Sequence, residues 1–310
     1  MSHDLADNRR RSRSSGPHRV ALAAALFTFP LLLVGGTVSV FRVGMAVPDW
    51  PTTFGINMFL YDFTNASWGV FVEHGHRLYG SAVGLACIIL AVWFAVAERS
   101  RWLKLLGLVA LLAVIGQGFL GGYRVRHNST ELAWLHGSTA YAFFGLLVSL
   151  VVVTGRRWAE VGDRPVDPSG LRWWSLANLG LVYGQAVLGA EVRHYGVGVL
   201  THASLAMLVV ASVAGLTWRS STIPSLRPSS RAMVLAVAAQ VALGVAAWWL
   251  LRPFDGTQKR VTNIQLFTRL GHQGTGALLL AASVVYGLRA WRSLVGRPSA
   301  VASRRLEAVA

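Results

Sequence analysis

The chain has 310 residues, 54% of them hydrophobic and 14% charged, with a formal net charge of +16 and a mean hydropathy of +0.48. A soluble domain carries about a quarter charged residues, so the composition excludes an ordinary soluble enzyme and points to an integral membrane protein. The basic residues fall between apolar runs, which argues against nucleic acid as a partner and for the lipid bilayer.

Met1–Arg19 is a polar, Arg/Ser-rich tail expected to be disordered. Its run RRRSRSS faintly resembles a twin-arginine signal. No A-x-A-like cleavage site follows, and the next apolar run is long for a signal core, so that run reads as a retained first helix. Eight apolar runs are long enough to cross about 30 Å of hydrocarbon. They lie near Val20–Val40, Phe71–Ala97, Leu103–Gly122, Trp134–Thr154, Trp173–Ala190, Leu200–Trp218, Ala232–Leu251 and Phe267–Trp291.

Alternate connections are rich in arginine: Arg9 to Arg19, Arg99 to Lys104, Arg156 to Arg172, Arg219 to Arg231, and Arg289 to Arg305. They hold most of the 29 Lys and Arg, and the positive-inside rule puts them and both termini in the cytoplasm. The expected fold is an all-α integral membrane protein with eight transmembrane helices, arranged as two pseudo-symmetric four-helix bundles. Residues 1–19 would be the basic tail, 20–154 the first half, 155–172 a cytoplasmic linker with Pro165 and Pro168, 173–291 the second half and 292–310 a cytoplasmic tail. The single Cys87 rules out a disulfide within the chain, no C-x-x-C-H is present for covalent haem, and Cys87 reads as a small apolar residue inside the second helix.

The odd runs share a pattern in which Gln is followed four residues later by Gly: Gln117/Gly121, Gln185/Gly189 and Gln240/Gly244. The first run offers only VGGTVSV, without the Gln. Small residues at such positions let helices approach closely in lipid. After each odd run comes an outer loop, and a histidine opens the next helix: His76, His136, His202 and His272. Histidine is costly in a membrane helix, and one alone reads equally well as an interfacial ring. Four at equivalent places favour metal ligation. A bare metal ion would want further ligands, and only Glu73 is near. Opposed histidines in a helical bundle suit haem, with His76 paired to His136 and His202 to His272.

Glu73 in FVEHGHRLYG shares a helical face with His76. It can relay protons or stabilise developing positive charge, and the bland alternative is a helix-start carboxylate complementing the macrodipole. Arg77 is either a partner for Glu73 or a haem propionate, or an arginine snorkelling to the interface. His74 points away from both and reads as a solvated loop-end residue. His127, His194, Arg124, Arg126 and Arg193 read as solvated outer-loop residues, and Asp49 and Trp50 as possible lining of a loop over the first haem pocket. The tryptophans Trp102, Trp134, Trp173, Trp174 and Trp218 mark membrane interfaces.

The E-x-x-H-R of Glu73, His76 and Arg77, the PDWP of Pro48–Pro51, and the histidines opening the fourth, sixth and eighth runs together resemble the haem A synthase family, which converts haem O to haem A for terminal oxidases. The resemblance covers nearly all eight runs. It implies an oxidoreductase in which His202 and His272 bind a haem b cofactor, His76 and His136 hold the iron of haem O as substrate, and Glu73 is the catalytic carboxylate. It also implies haem O synthase and terminal oxidase assembly as partners, a quinone or other redox partner, and the cytoplasmic (inner) membrane as location. Many members of the family have cysteines flanking the PDWP, where this chain has Val47 and Thr53. Two other classes stay open on the residues alone: a di-haem b-type cytochrome that only passes electrons, and a haem carrier or transporter.

Overall fold

The computed structural model describes residues 15–159, 166–167, 170–250 and 261–295. The expected basic tail over 1–14, residues 160–165 and 168–169 of the linker, residues 251–260 and the C-terminal tail beyond 295 lie outside the described residues. Long helices account for most of the rest: α1 Ser15–Val40, α2 Trp68–Ala97, α3 Arg101–Arg126, α4 Thr130–Thr154, α5 Leu171–Tyr195, α6 Val199–Arg219, α7 Arg227–Leu250 and α8 Asn263–Ser293. A single helical turn covers Arg156–Ala159, and strands β1 Thr52–Thr53 and β2 Ile56–Asn57 make a small antiparallel hairpin.

Each apolar run is a helix, but most helices outrun the apolar segment at one or both ends. Backbone hydrogen bonding does not stop where the hydrocarbon does, so α3 continues through Arg124 and Arg126, and α5 through Arg193 and His194. α1 takes in residues 15–19 of the expected disordered tail. Polar caps fix some of the ends. Ser129 accepts from Leu132 N at 3.1 Å to start α4, and Thr262 and Gln265 form a reciprocal capping box at the start of α8.

Among the described residues six helices, α1–α4, α6 and α7, are long and apolar enough to cross a membrane. The expectation was eight. α5 and α8, of 25 and 31 residues, have the length to span the core at about 1.5 Å per residue. They carry more polar and charged residues, Asn178 and Glu191 in one and Gln265, Arg269 and Gln273 in the other.

The chain divides into two compact units, Met1–Gly155 and Arg156–Ala310. In the first, α1 packs on α2, α2 on α3, α3 on α4, and α4 back on α1, so four helices close a ring. His18 Nδ1 lies 3.2 Å from Thr154 Oγ1, tying the start of α1 to the end of α4. In the second unit α5, α6, α7 and α8 close a ring in the same way. Its interior contains Asn178, which donates to Ser283 Oγ at 3.2 Å across α5 and α8. In a low-dielectric core a paired amide of this kind orders helices that dispersion alone would leave free to slide.

Candidate functional site

Two pairs of histidines meet inside the two rings. In the first unit His76, two turns into α2, faces His136 of α4 with ring centroids 6.4 Å apart and planes at 89°. In the second, His202 of α6 faces His272 of α8 at 6.1 Å and 72°. Each ring lies against a glycine of the preceding helix. A Cβ built on Gly35 would stand 3.0 Å from His76 Cε1, on Gly121 3.3 Å from His136, on Gly189 3.1 Å from His202, and on Gly244 2.9 Å from His272. The Gln-to-Gly spacing was read as a helix-approach motif. Its glycines receive the imidazoles, and Gly35, in the run that lacks the Gln, does the same.

The glutamines differ between the units. Gln185 Nε2 lies 3.2 Å from His202 Nε2 and donates to the His202 carbonyl at 2.9 Å. Gln240 Nε2 lies 3.4 Å from His272 Nε2, its carbonyl lies 3.1 Å from His272 Nδ1, and its side-chain oxygen accepts from Thr275. Gln117 instead donates to Thr139 Oγ1 at 2.7 Å.

The pairs fit two axial ligands of one metal. A metal–imidazole bond of about 2 Å on each side, added to the distance from ring nitrogen to ring centre, separates the centroids by roughly 6 Å. Nδ1 of His76 and Nδ1 of His202 are buried without a hydrogen-bond partner, a cost that a ligand on the ring would relieve. Among the described residues no group of three or more His, Cys, Asp or Glu could hold a metal ion. A metal held here would therefore bring its remaining ligands with it, as a macrocycle does.

Beside the first pair, the loop between α1 and α2 folds back onto α2. Glu73 and Arg77 form an ion pair at 3.0 Å, with side chains 4% and 9% exposed. Glu73 Oε2 accepts from Val47 N at 2.9 Å. Arg77 donates to the carbonyls of Val47 at 2.7 Å, Asp49 at 2.7 Å and Thr52 at 3.2 Å. The planar guanidinium fork suits several acceptors at once. Arg77 thus holds both Glu73 and the loop that contains PDWP. Inside that loop Asp49 accepts from Thr52 Oγ1, Phe54 N and Gly55 N. Its partial burial alone would raise its pKa, but these bonds outweigh that and hold it below the usual carboxylate value. Phe54 and Gly55 both have positive φ, 53° and 78°, as a tight two-residue hairpin requires. Trp50 lies against Phe119 and Tyr123 of α3 at 5.8 and 6.3 Å, and a Cβ on Gly122 would collide with its ring.

Two expected surface residues are not on the surface. His74 is fully buried. Its Nδ1 lies 3.0 Å from Thr53 Oγ1, and its ring packs against Tyr61 and Phe63 at 5.2 and 4.7 Å. α2 begins three residues earlier than the apolar run suggested, and the loop covers the face to which His74 points. Arg124, expected in a solvated loop, sits in the last turn of α3 and donates to the Gly44 carbonyl. Arg126, Arg193 and His127 are exposed, as expected, although both arginines belong to helices, and so does His194. Thr53, Tyr61, Phe63 and Gly44 are partners that no sequence pattern marks. Carbonyl acceptors and ring contacts leave no spacing signal, whereas a glycine one helix ahead of every histidine was visible.

The fold and the site define an all-helical membrane protein with two paired-histidine centres, the first of which adjoins the Glu73–Arg77 ion pair. The family model described as cytochrome oxidase assembly protein (COX15-CtaA) matches residues 18–201, and the chain belongs to that family, the haem A synthase family. It is 30% identical to the heme A synthase of Exiguobacterium sibiricum over 57% of this chain and 60% of that protein. It is 26% identical to that of Caulobacter sp. (strain K31) over 92% and 98%, and 24% identical to that of Beijerinckia indica subsp. indica over 84% and 89%. The match thus spans about 60% of the length of the first of these relatives and nearly all of the second.

Proposed function

We propose that the protein is a haem A synthase, an oxidoreductase of the cytoplasmic (inner) membrane that oxidises one methyl group of haem O to a formyl group. The observation that carries this reading is the asymmetry between two otherwise similar histidine pairs. The side chains that contact His202 and His272 are the neutral amides of Gln185 and Gln240, which would swing aside from Nε2 for the iron of a resident haem b. His76 and His136 adjoin a buried carboxylate, suited to a substrate on which chemistry is done. The relatives' name, heme A synthase, supports haem A as the product.

Bound haem b would supply one-electron transfer. The chain's own residues supply the rest. His76 and His136 hold the iron of haem O. Glu73 lies one turn before His76 on the same face, with one oxygen on Arg77 and the other on Val47 N. Held in this way it can stabilise positive charge developing at the methyl carbon or accept its proton. Arg77 orients that carboxylate and stands where a propionate can be met. The loop folds over the turn that carries Glu73 and His74. The matching topology has eight spans, two pseudo-symmetric halves and both termini in the cytoplasm. Haem O synthase would supply the substrate, water the formyl oxygen, terminal oxidase assembly would take the product, and a quinone or another redox partner would take the electrons released with the protons.

One observation favours the second reading, a di-haem cytochrome: both Glu73 oxygens are already engaged in holding the loop. Glu73→Gln separates the two. It keeps the size and an acceptor for Val47 N but removes the charge. Expressed with a haem O source, the variant should lose most haem A, about a hundredfold or more for a general acid–base group, while retaining haem b. Wild-type haem A yield in a correctly inserted variant would move the assignment to the cytochrome.

A further inference from the structure

A groove of about 290 Å³ runs between α3 and α4, near the lower end of the size range of small-molecule sites. It starts beside the histidine end. Gln117 and Thr139 line it about one turn inward from Gly121 and His136, and Ala113, Gly116, Ala142 and Leu146 continue it deeper. Both helices are apolar enough to span a membrane, and Ala142 is exposed, so the groove is open along its side.

The polar end has a fixed polarity. Thr139 Oγ1 donates its only proton to the Leu135 carbonyl at 2.6 Å, so it must accept from the Gln117 amide nitrogen at 2.7 Å. That leaves Gln117 Oε1 as the free end of the amide, and it is buried with no partner. In the second unit Gln185 and Gln240 turn their amide nitrogens to their histidines instead, and although Gln185 Oε1 is also without a partner, the groove lies beside Gln117. A buried acceptor at the mouth of an apolar groove, one turn from a haem-ligating ring, calls for a ligand with one hydroxyl donor followed by a hydrocarbon chain.

We propose that this groove is the subsite for the hydroxyprenyl arm of the substrate haem. Gln117 Oε1 accepts the arm's hydroxyl, and Ala113, Gly116, Ala142 and Leu146 take the prenyl tail. The assignment rests on the His76–His136 pair being the substrate site. It makes Gln117 a specificity-determining residue, because haem B has a vinyl group at that ring position and offers neither donor nor tail.

Two variants test this in the full-length protein loaded with haem b. Gln117→Leu removes the acceptor at similar size. Gly116→Leu fills the groove, and a Cβ on Gly116 meets nothing within 4 Å, so the change need not disturb the helices. Retention of the haem b spectrum serves as the folding control. Haem O and haem B are then titrated separately and followed by absorbance. Wild type should prefer haem O, and each variant should weaken haem O binding roughly tenfold while leaving haem B unchanged. Unchanged haem O affinity in both variants, or equal affinity for the two haems in wild type, overturns the subsite and leaves the substrate site standing. Failure of wild type to bind either haem beyond the loaded one overturns the site and the subsite together.

Discussion

Arg77 is the residue on which the outer surface of the first unit depends. It balances the buried Glu73 and donates to three loop carbonyls, so its removal leaves a buried charge uncompensated, which typically costs about 3–5 kcal/mol. Arg77→Lys keeps the charge but not the fork. Hydrogen exchange should therefore show faster exchange of the Val47 amide and its loop neighbours in the lysine variant, with α3 and α4 unaffected. Equal protection in wild type and variant would show that the loop is held by other contacts. Glu73, His76 and Arg77 stood out from the sequence because charged and titratable residues crowd one turn at the edge of an apolar run. His74, in the same turn, was misread. Its surroundings come from Thr53, Tyr61 and Phe63, residues that precede it in the α1–α2 loop, whose path no local pattern specifies.

At the scale of elements, the unit of construction is a glycine on one helix facing an imidazole on the next. Adding a methyl group at such a contact overpacks it, at a cost of typically 1–3 kcal/mol. Gly244 has the closest contact, 2.9 Å from a built Cβ to His272. Gly244→Ala should displace that ring and weaken haem b retention on purification. Gly180→Ala, where a Cβ meets nothing within 4 Å, should leave it intact and serves as the control. Equal retention in both would remove the glycine contact from the account of the site. The helices themselves were legible as apolar runs, but their ends were not, because hydropathy reports the hydrocarbon and the helix continues past it. The last turns of α3 and α5, with Arg124, Arg126 and Arg193, are the instances.

At the scale of the whole molecule, the placement of basic residues makes the strongest statement. Arg99 and Arg101 sit in the connection between α2 and α3, Arg219 and Arg227 in that between α6 and α7, and the positive-inside rule assigns both to the cytoplasm. A reporter fused after Ala310 should then behave as cytoplasmic, and one inserted in the α3–α4 connection at Asn128 as external. An externally active C-terminal reporter would invert the topology and place both histidine pairs at the opposite face. The all-helical membrane class followed directly from composition. α5 and α8 are the elements for which composition is least decisive, because their interior faces bear Asn178 and Gln273 in place of aliphatic side chains.

The grip of Arg77 on carbonyl oxygens also bears on how freely this loop can evolve. Every residue has a carbonyl, so the contacts at Val47, Asp49 and Thr52 place no demand on which side chains stand there. At those three positions a substitution can leave the grip of Arg77 intact, whereas the side chains of Asp49, Trp50 and Thr53 carry contacts of their own and are not free to change in the same way.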